Sequence, residues 1–136
     1  MEHEPLTRDI NGGGMKVHRT LGPGYSESVY KNALTVELRK RGLLVEREIR
    51  FRVHYEEEIV GQFVADLLVE RTVLVEAKAN RALVPRDESQ LVSYLTGIRL
   101  DVGLLLNFGG ESLQVRRKTR LVRPPTSRSA EPPTSG

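Results

Sequence analysis

Apolar and polar residues alternate through "VEREIRFRVHY" from residue 45. Val45, Ile49, Phe51, Val53 and Tyr55 share one face, interrupted by Arg47, and Glu46, Glu48, Arg50, Arg52 and His54 take the other. A period of two with one apolar side predicts a strand with one wet face. "EEE" at 56–58 makes a charged turn, a second strand runs from Ile59 to Val69, and a third from Thr72 to Ala79. The connection around "ERT" is short, so the second and third strands pair as a hairpin. "DVGLLLNF" is almost wholly apolar and predicts an inner strand covered on both faces. "SLQVRRKTRLV" predicts a final strand at a sheet edge, where its basic residues oppose edge-to-edge pairing.

The period lengthens to that of a helix in "SESVYKNALTVELRKRG", residues 26–42, with Ser26 as N-cap and Gly42 just past the end. At ~100° per residue, Glu27 projects within about 20° of Leu34 and Leu38, so it opens the stripe expected to face the core. A second helix follows in "ESQLVSYLTGI", with Pro85 and Asp87 as start signals and Gly97 near its end. "DINGGGMKVHRT" has apolar residues at Ile10, Met15 and Val17, but three consecutive glycines predict only a frayed or short helix ending near "LGPG". Those glycines lack a preceding strand and a GK[ST] ending, which weighs against a phosphate loop. Residues 1–8 are expected to be a loose start and 9–120 one domain. Residues 121–136, including "PPTSRSAEPPTSG" with its four prolines, are expected to be a disordered Pro/Ser-rich tail. Helix, three antiparallel strands, helix and inner strand make a mixed sheet flanked by helices, an α/β or α+β single domain.

The 136 residues suffice for one core without staples. No cysteine is present, which excludes disulfides, thiolate metal sites and a cysteine nucleophile, and suits a reducing cytoplasm. No apolar run approaches the ~18 residues needed to cross a bilayer. The net charge of +3 is mildly basic, and arginines outnumber lysines 16 to 5. Arginine suits bidentate phosphate contacts, a small lift for nucleic acid as partner.

Charge within the hairpin strands changes the picture. Asp66 interrupts an apolar run, and Glu76 and Lys78 sit inside "VLVEAKA". Opposed hairpin residues point to the same face. With a three-residue loop, Glu70-Arg71-Thr72, Asp66 stands opposite Glu76, and Lys78 shares that face. A two-residue loop would put the two acids on opposite faces. In the first register two carboxylates repel at about 5 Å and each costs energy to desolvate, problems that a divalent cation removes. Hard oxygen ligands suit Mg²⁺ (or Mn²⁺), which keeps waters and substrate phosphates in its shell. The bland alternative is a buried ion pair of Lys78 with one acid, and Asp66 facing water at a bulge.

"LGPGYSESVYKNAL" resembles the signature of the GxxExxY protein family, with its motif residues at Gly24, Glu27 and Tyr30. "ADLLVERTVLVEAKA", "ESQLVSYL" and "GLLLNFG" resemble that family in the same order, so the likeness spans roughly residues 9–118. The family is assigned to the PD-(D/E)XK nuclease-like superfamily, which implies a restriction-endonuclease-like core. By that resemblance the acidic position of the second core strand falls on Asp66. The (D/E)-x-K signature falls on Glu76 and Lys78, with the Ala77 backbone carbonyl offered to the metal. The helix glutamate falls on Glu27, and a glutamine of the following helix on Gln90, with Tyr94 one turn on. Two departures are the glycine-rich "INGGGMKVHR" where the family carries more alanine, and Ala65 in place of proline before Asp66.

The expected function is Mg²⁺-dependent hydrolysis of phosphodiester bonds in DNA or RNA. Asp66 and Glu76 would hold the ion, Glu27 complete or orient the site, Lys78 assist the attacking water and Gln90 position it. The alternative is a non-catalytic adaptor that binds nucleic acid or protein. A homodimer would enlarge the binding surface of so small a core. His18 is expected to pack or cap rather than join the site, and Tyr94 to be core. For Gln90, capping its own helix competes with a site role. Arg81, Arg86, Arg116, Arg117, Lys118 and Arg120 are candidate phosphate contacts on a surface that is basic in any case.

Overall fold

The structure, a computed structural model, describes residues 3–120. Two helices, α1 (Glu4–Leu21) and α2 (Glu27–Lys40), precede a meander of β1 (Val45–Tyr55), β2 (Glu58–Val69) and β3 (Val73–Lys78). Helix α3 (Pro85–Ile98) then crosses to β4 (Val102–Asn107), and β5 (Gln114–Thr119) closes the order. The five strands form one sheet in chain order. The β3–β4 pair is parallel and the other three pairs are antiparallel. A parallel neighbour requires a crossover, which α3 supplies. The inner strand is β4, buried at every position as its apolar run demands, and β5 lies at an edge. The Pro/Ser-rich tail lies outside the described residues.

The expectation of a frayed first helix is overturned. Helix α1 runs 18 residues and includes residues 4–8, expected to be loose. The glycines that weaken it in isolation allow a close approach. A Cβ on Gly13 would stand 2.8 Å from the Leu38 side chain of α2, and one on Gly14 would stand 3.1 Å from Leu113 and 3.2 Å from Leu106. Packing overrides propensity because tertiary burial supplies most of a helix's stability.

Helices α1 and α2 cover one face of the sheet and α3 the other. Ile10, Val17, Tyr30, Leu34 and Leu38 pack on Leu67, Val75, Leu104 and Leu106. Leu91 and Leu95 pack on Phe51, Leu74 and Leu105. Each fully buried leucine contributes about 2 kcal/mol of transfer free energy. The loop between α1 and α2 is pinned by Tyr30, whose hydroxyl donates to the Gly22 carbonyl (2.5 Å) and accepts from the Tyr25 N–H (3.1 Å). Its ring stacks on Phe108 at 4.8 Å. Gly24 has φ 121°, a conformation that side chains with a Cβ rarely adopt.

The single wet face predicted for β1 needs correction. Val45 packs in the α1/α2 layer, whereas Ile49, Phe51 and Val53 pack toward α3. The strand changes sides at Glu48, whose φ of 55° is left-handed. On β2 the same change falls at Asp66, since Ala65 packs toward α3 and Leu67 and Val69 toward α1/α2. The β1–β2 register keeps one offset from Val45↔Val69 to Val53↔Gly61, skipping only Glu48 and Asp66, so the two strands kink together.

Candidate functional site

Strands β2 and β3 are joined by a three-residue turn at 70–72, with Glu70 and Arg71 both left-handed. Their ladder holds for Val69↔Val73, Leu68↔Leu74 and Leu67↔Val75. One step further Asp66 stands opposite Glu76, the register in which both acids meet. There the ladder gives way to side chains. The Asp66 N–H donates to Glu76 Oε2 (3.2 Å), and the Ala77 N–H donates to Asp66 Oδ2 (2.8 Å). The carboxylates thus substitute for the backbone carbonyls that would continue the sheet, and the strands separate beyond them. In an extended strand the N–H and C=O of one residue project to the same edge. The Ala77 carbonyl therefore faces this gap, while the Lys78 carbonyl accepts from the Phe108 N–H on the other side (2.8 Å).

Glu76 is only 5% exposed. Burial, and then the Asp66 carboxylate hydrogen-bonded beside it, push its carboxyl up to about 9. Out of water and beside a second carboxylate, the charged form of Glu76 is disfavoured. Asp66 is more open and meets Lys31, whose Nζ lies 3.8 Å from its Oδ1 and 3.5 Å from Glu48 Oε1. Lys31 was missed by sequence reasoning, although a signal existed: it follows Glu27 by one turn on the stripe that carries Leu38.

Lys78 does not form the buried ion pair of the bland alternative. Its Nζ donates to Gln90 Oε1 on α3 (3.2 Å), and among the described residues no carboxylate lies within ion-pairing distance of it. Gln90 is free for this because Asp87 takes the capping work, accepting the Val84 N–H (3.1 Å). The exit of β3 is fixed by Asn107, fully buried in β4. Its Oδ1 accepts from the Asn80 N–H and its Nδ2 donates to the Asn80 carbonyl, both at 2.9 Å. A polar residue inside "GLLLNF" was the sequence trace of that clamp.

Other expected residues fall as follows. Glu27 occupies the first turn of α2 but is exposed rather than turned into the core, because the layer beneath α2 begins at Tyr30. No hydrogen bond or ion pair engages it among the described residues, and it is not gathered with Asp66 and Glu76 into a three-acid cluster. His18 packs, its Nε2 on the Gly110 carbonyl at 2.8 Å and its ring over Phe108. Tyr94 is half-buried against Phe51 and Phe63. Burial, then Glu76 and Asp66, push its phenol up. Lys118 and Arg120 are paired with Glu88 (2.6 Å) and Asp101 (2.9 Å), while Arg81, Arg86 and Arg116 are exposed.

The donor set suits a hard cation. Two carboxylates and one backbone carbonyl border the gap, all oxygen, and no cysteine exists in the chain. Among the described residues no group of three or more His, Cys, Asp or Glu assembles. A site with few protein ligands leaves most of the shell to water and phosphate oxygens, the usual situation for Mg²⁺. No helix among the described residues is long and apolar enough to cross a membrane.

Comparison with known proteins agrees with this geometry. Residues 4–118 match the family model described as the PD-(D/E)XK nuclease superfamily. The match spans most of the chain, which belongs to that superfamily. No curated protein matches it in sequence. A solved structure titled "Crystal structure of SSO0001" superposes with a TM-score of 0.59 at 14% identity. The superposition covers 71% of this chain and spans half (50%) of that protein's length, a likeness of fold alone.

Proposed function

We propose that this member of the PD-(D/E)XK nuclease superfamily is a divalent-metal-dependent phosphodiesterase acting on nucleic acid. One observation carries the proposal: β2 leaves β3 at the point where Asp66 and Glu76 meet, and Lys78 follows on the same strand with its amine held by a neutral glutamine. Asp66, Glu76 and the Ala77 carbonyl are the ligands for Mg²⁺ or Mn²⁺. Bound there, the ion supplies Lewis-acid polarisation of a phosphoryl oxygen and acidifies water.

The remaining chemistry belongs to the chain. Lys78 presents an ammonium to the water that attacks phosphorus and to the charge that develops on the non-bridging oxygens. Gln90 aims that amine by accepting one of its protons. Lys31 balances Asp66 and then offers its charge to the incoming phosphate. Glu27, exposed one turn before Lys31 and without a partner among the described residues, orients water at the rim.

One observation favours the adaptor alternative. Lys31 already lies 3.8 Å from Asp66, so part of the acidic charge is balanced within the fold. A screen of Mg²⁺ and Mn²⁺ on single- and double-stranded DNA and RNA separates the two. Metal-dependent cleavage that disappears in Glu76→Ala is the expected result. Binding of nucleic acid without cleavage under any metal would establish the adaptor instead.

A further inference from the structure

Past the kink, β1 and β2 run on as a two-stranded ribbon, and its α3 side is only partly covered. Phe51 and Phe63 are cross-strand partners there, their rings 5.5 Å apart and inclined by 27°. Tyr94 from α3 closes the wall, 5.1 Å from Phe51 and 5.7 Å from Phe63. Together with Val53 and Val60 they bound an open cleft of about 380 Å³, and Gln90 stands at its end. That volume lies within the range of small-molecule sites. Phe63 is 38% exposed and Val60 62% exposed, so the cleft shows apolar surface to solvent.

The position of this cleft is what gives it meaning. Gln90 both lines it and holds the Lys78 amine, so one side chain joins the cleft to the acidic gap. Tyr94 lines the cleft beside Gln90, one turn further along α3. A phosphodiester seated on the acids would carry its neighbouring base toward the Gln90 side of the cleft. A base paired in a duplex has its faces covered, whereas an unpaired base offers a π-face to aromatic side chains. The polar edge of such a base needs partners. The Gln90 amide nitrogen and the Ser93 hydroxyl, both bordering the cleft, have none among the described residues.

We infer that the Phe51–Phe63–Tyr94 cleft takes the unpaired nucleobase next to the scissile phosphate, so that the substrate is single-stranded or frayed at the cut. The inference rests on the phosphodiesterase proposal and deepens it. An aliphatic occupant from a partner protein or a second copy of the chain has no reason to require the Gln90 junction.

The test uses a labelled single strand carrying 2-aminopurine and its matched blunt duplex, each titrated by fluorescence anisotropy and base fluorescence with and without Mn²⁺. Cleavage is scored on gels in parallel. The intact protein is expected to prefer the single strand and to quench 2-aminopurine. Phe63→Leu keeps apolar bulk without a ring. It is expected to weaken single-strand binding about tenfold, relieve the quenching and leave duplex binding and the melting curve unchanged. Tyr94→Leu serves as the second variant. Equal weakening for both substrates, no change for either, or a dimer that dissociates in Phe63→Leu would overturn the base-binding cleft. Ring-dependent single-strand binding without cleavage would keep the cleft and overturn the phosphodiesterase. Cleavage that prefers duplex and ignores Phe63 would do the reverse.

Discussion

The two faces of the sheet are built to different standards. On the α1/α2 side, Tyr30, Leu34, Leu38, Leu104 and Leu106 are buried to within 1% of their surface, and glycines let α1 descend until side chains touch. On the α3 side, one helix covers a smaller cluster and leaves Phe63, Gln90 and the ribbon beyond the kink open to water. Glu76 and Lys78 project to this thinner side, where the Lys78 amine meets Gln90 of α3. The difference teaches a division of labour. One layer supplies stability, which leaves the other free to hold a buried acid with a disfavoured charge. Kept neutral by its raised pKa, such an acid avoids the cost of a buried charge, while the closed layer carries the larger apolar cluster.

Matched substitutions sharpen that contrast. The largest effect is expected from Lys78→Ala on the thin side. Cleavage should fall by about 10²–10⁴-fold, the usual contribution of one positioned proton-transfer or charge-stabilising group, while the melting temperature stays within a few degrees. Retention of full activity would remove Lys78 from the chemistry. Leu34→Ala on the closed side should do the opposite. A stability loss of about 2–5 kcal/mol in denaturant titrations is expected, with cleavage per folded molecule unchanged. A comparable activity loss in both variants would abolish the division between the faces.

A third variant reads the buried acid through pH. In the metal-free protein the folded state holds Glu76 protonated up to about 9, against an ordinary value of 4.5. The unfolded chain releases that proton at lower pH. The stability contributed by the bound proton is therefore complete below the ordinary carboxylate range and is lost as pH rises through the folded value. Melting temperatures should decline between about pH 5 and pH 9, and Glu76→Gln should flatten the decline. A wild-type curve as flat as that of the variant would mean that Glu76 is charged and paired.

The smallest effect belongs to the loop that seats α2. Tyr30→Phe keeps the ring on Phe108 but leaves the Gly22 carbonyl and Tyr25 N–H without their partner. A loss of about 1–2 kcal/mol is expected in chemical denaturation. A loss far larger would show that this loop, and not only the leucine layer, anchors the closed face.

The hairpin was the most legible part of the molecule. A short connection marked the pairing, and of the two loop lengths it left open the three-residue turn at 70–72 is the one that brings Asp66 to Glu76. The kink at Glu48 left no such mark, because its left-handed backbone is carried by a glutamate where glycine would have signalled it. Val45 and Phe51 therefore read as sharing a face that they do not share. Helix α1 was obscured for the converse reason: Gly13 and Gly14 read as breakers, yet their missing side chains are what the neighbouring helix and sheet require. The stripe on α2 was read correctly in direction but not in depth. The first turn overhangs the core, so Glu27 is exposed, and Lys31 one turn later reaches Asp66 and Glu48 instead.

Isothermal titration of the metal-free chain with Mn²⁺, beside Asp66→Asn, bears most directly on the paired acids. The wild type is expected to bind one ion per chain, with affinity that rises with pH as Glu76 gives up its proton. Asp66→Asn is expected to lose binding by at least about tenfold with its fold intact. Equal affinity in the two proteins, or no uptake by the wild type at any pH up to about 9, would contradict a cation site between β2 and β3.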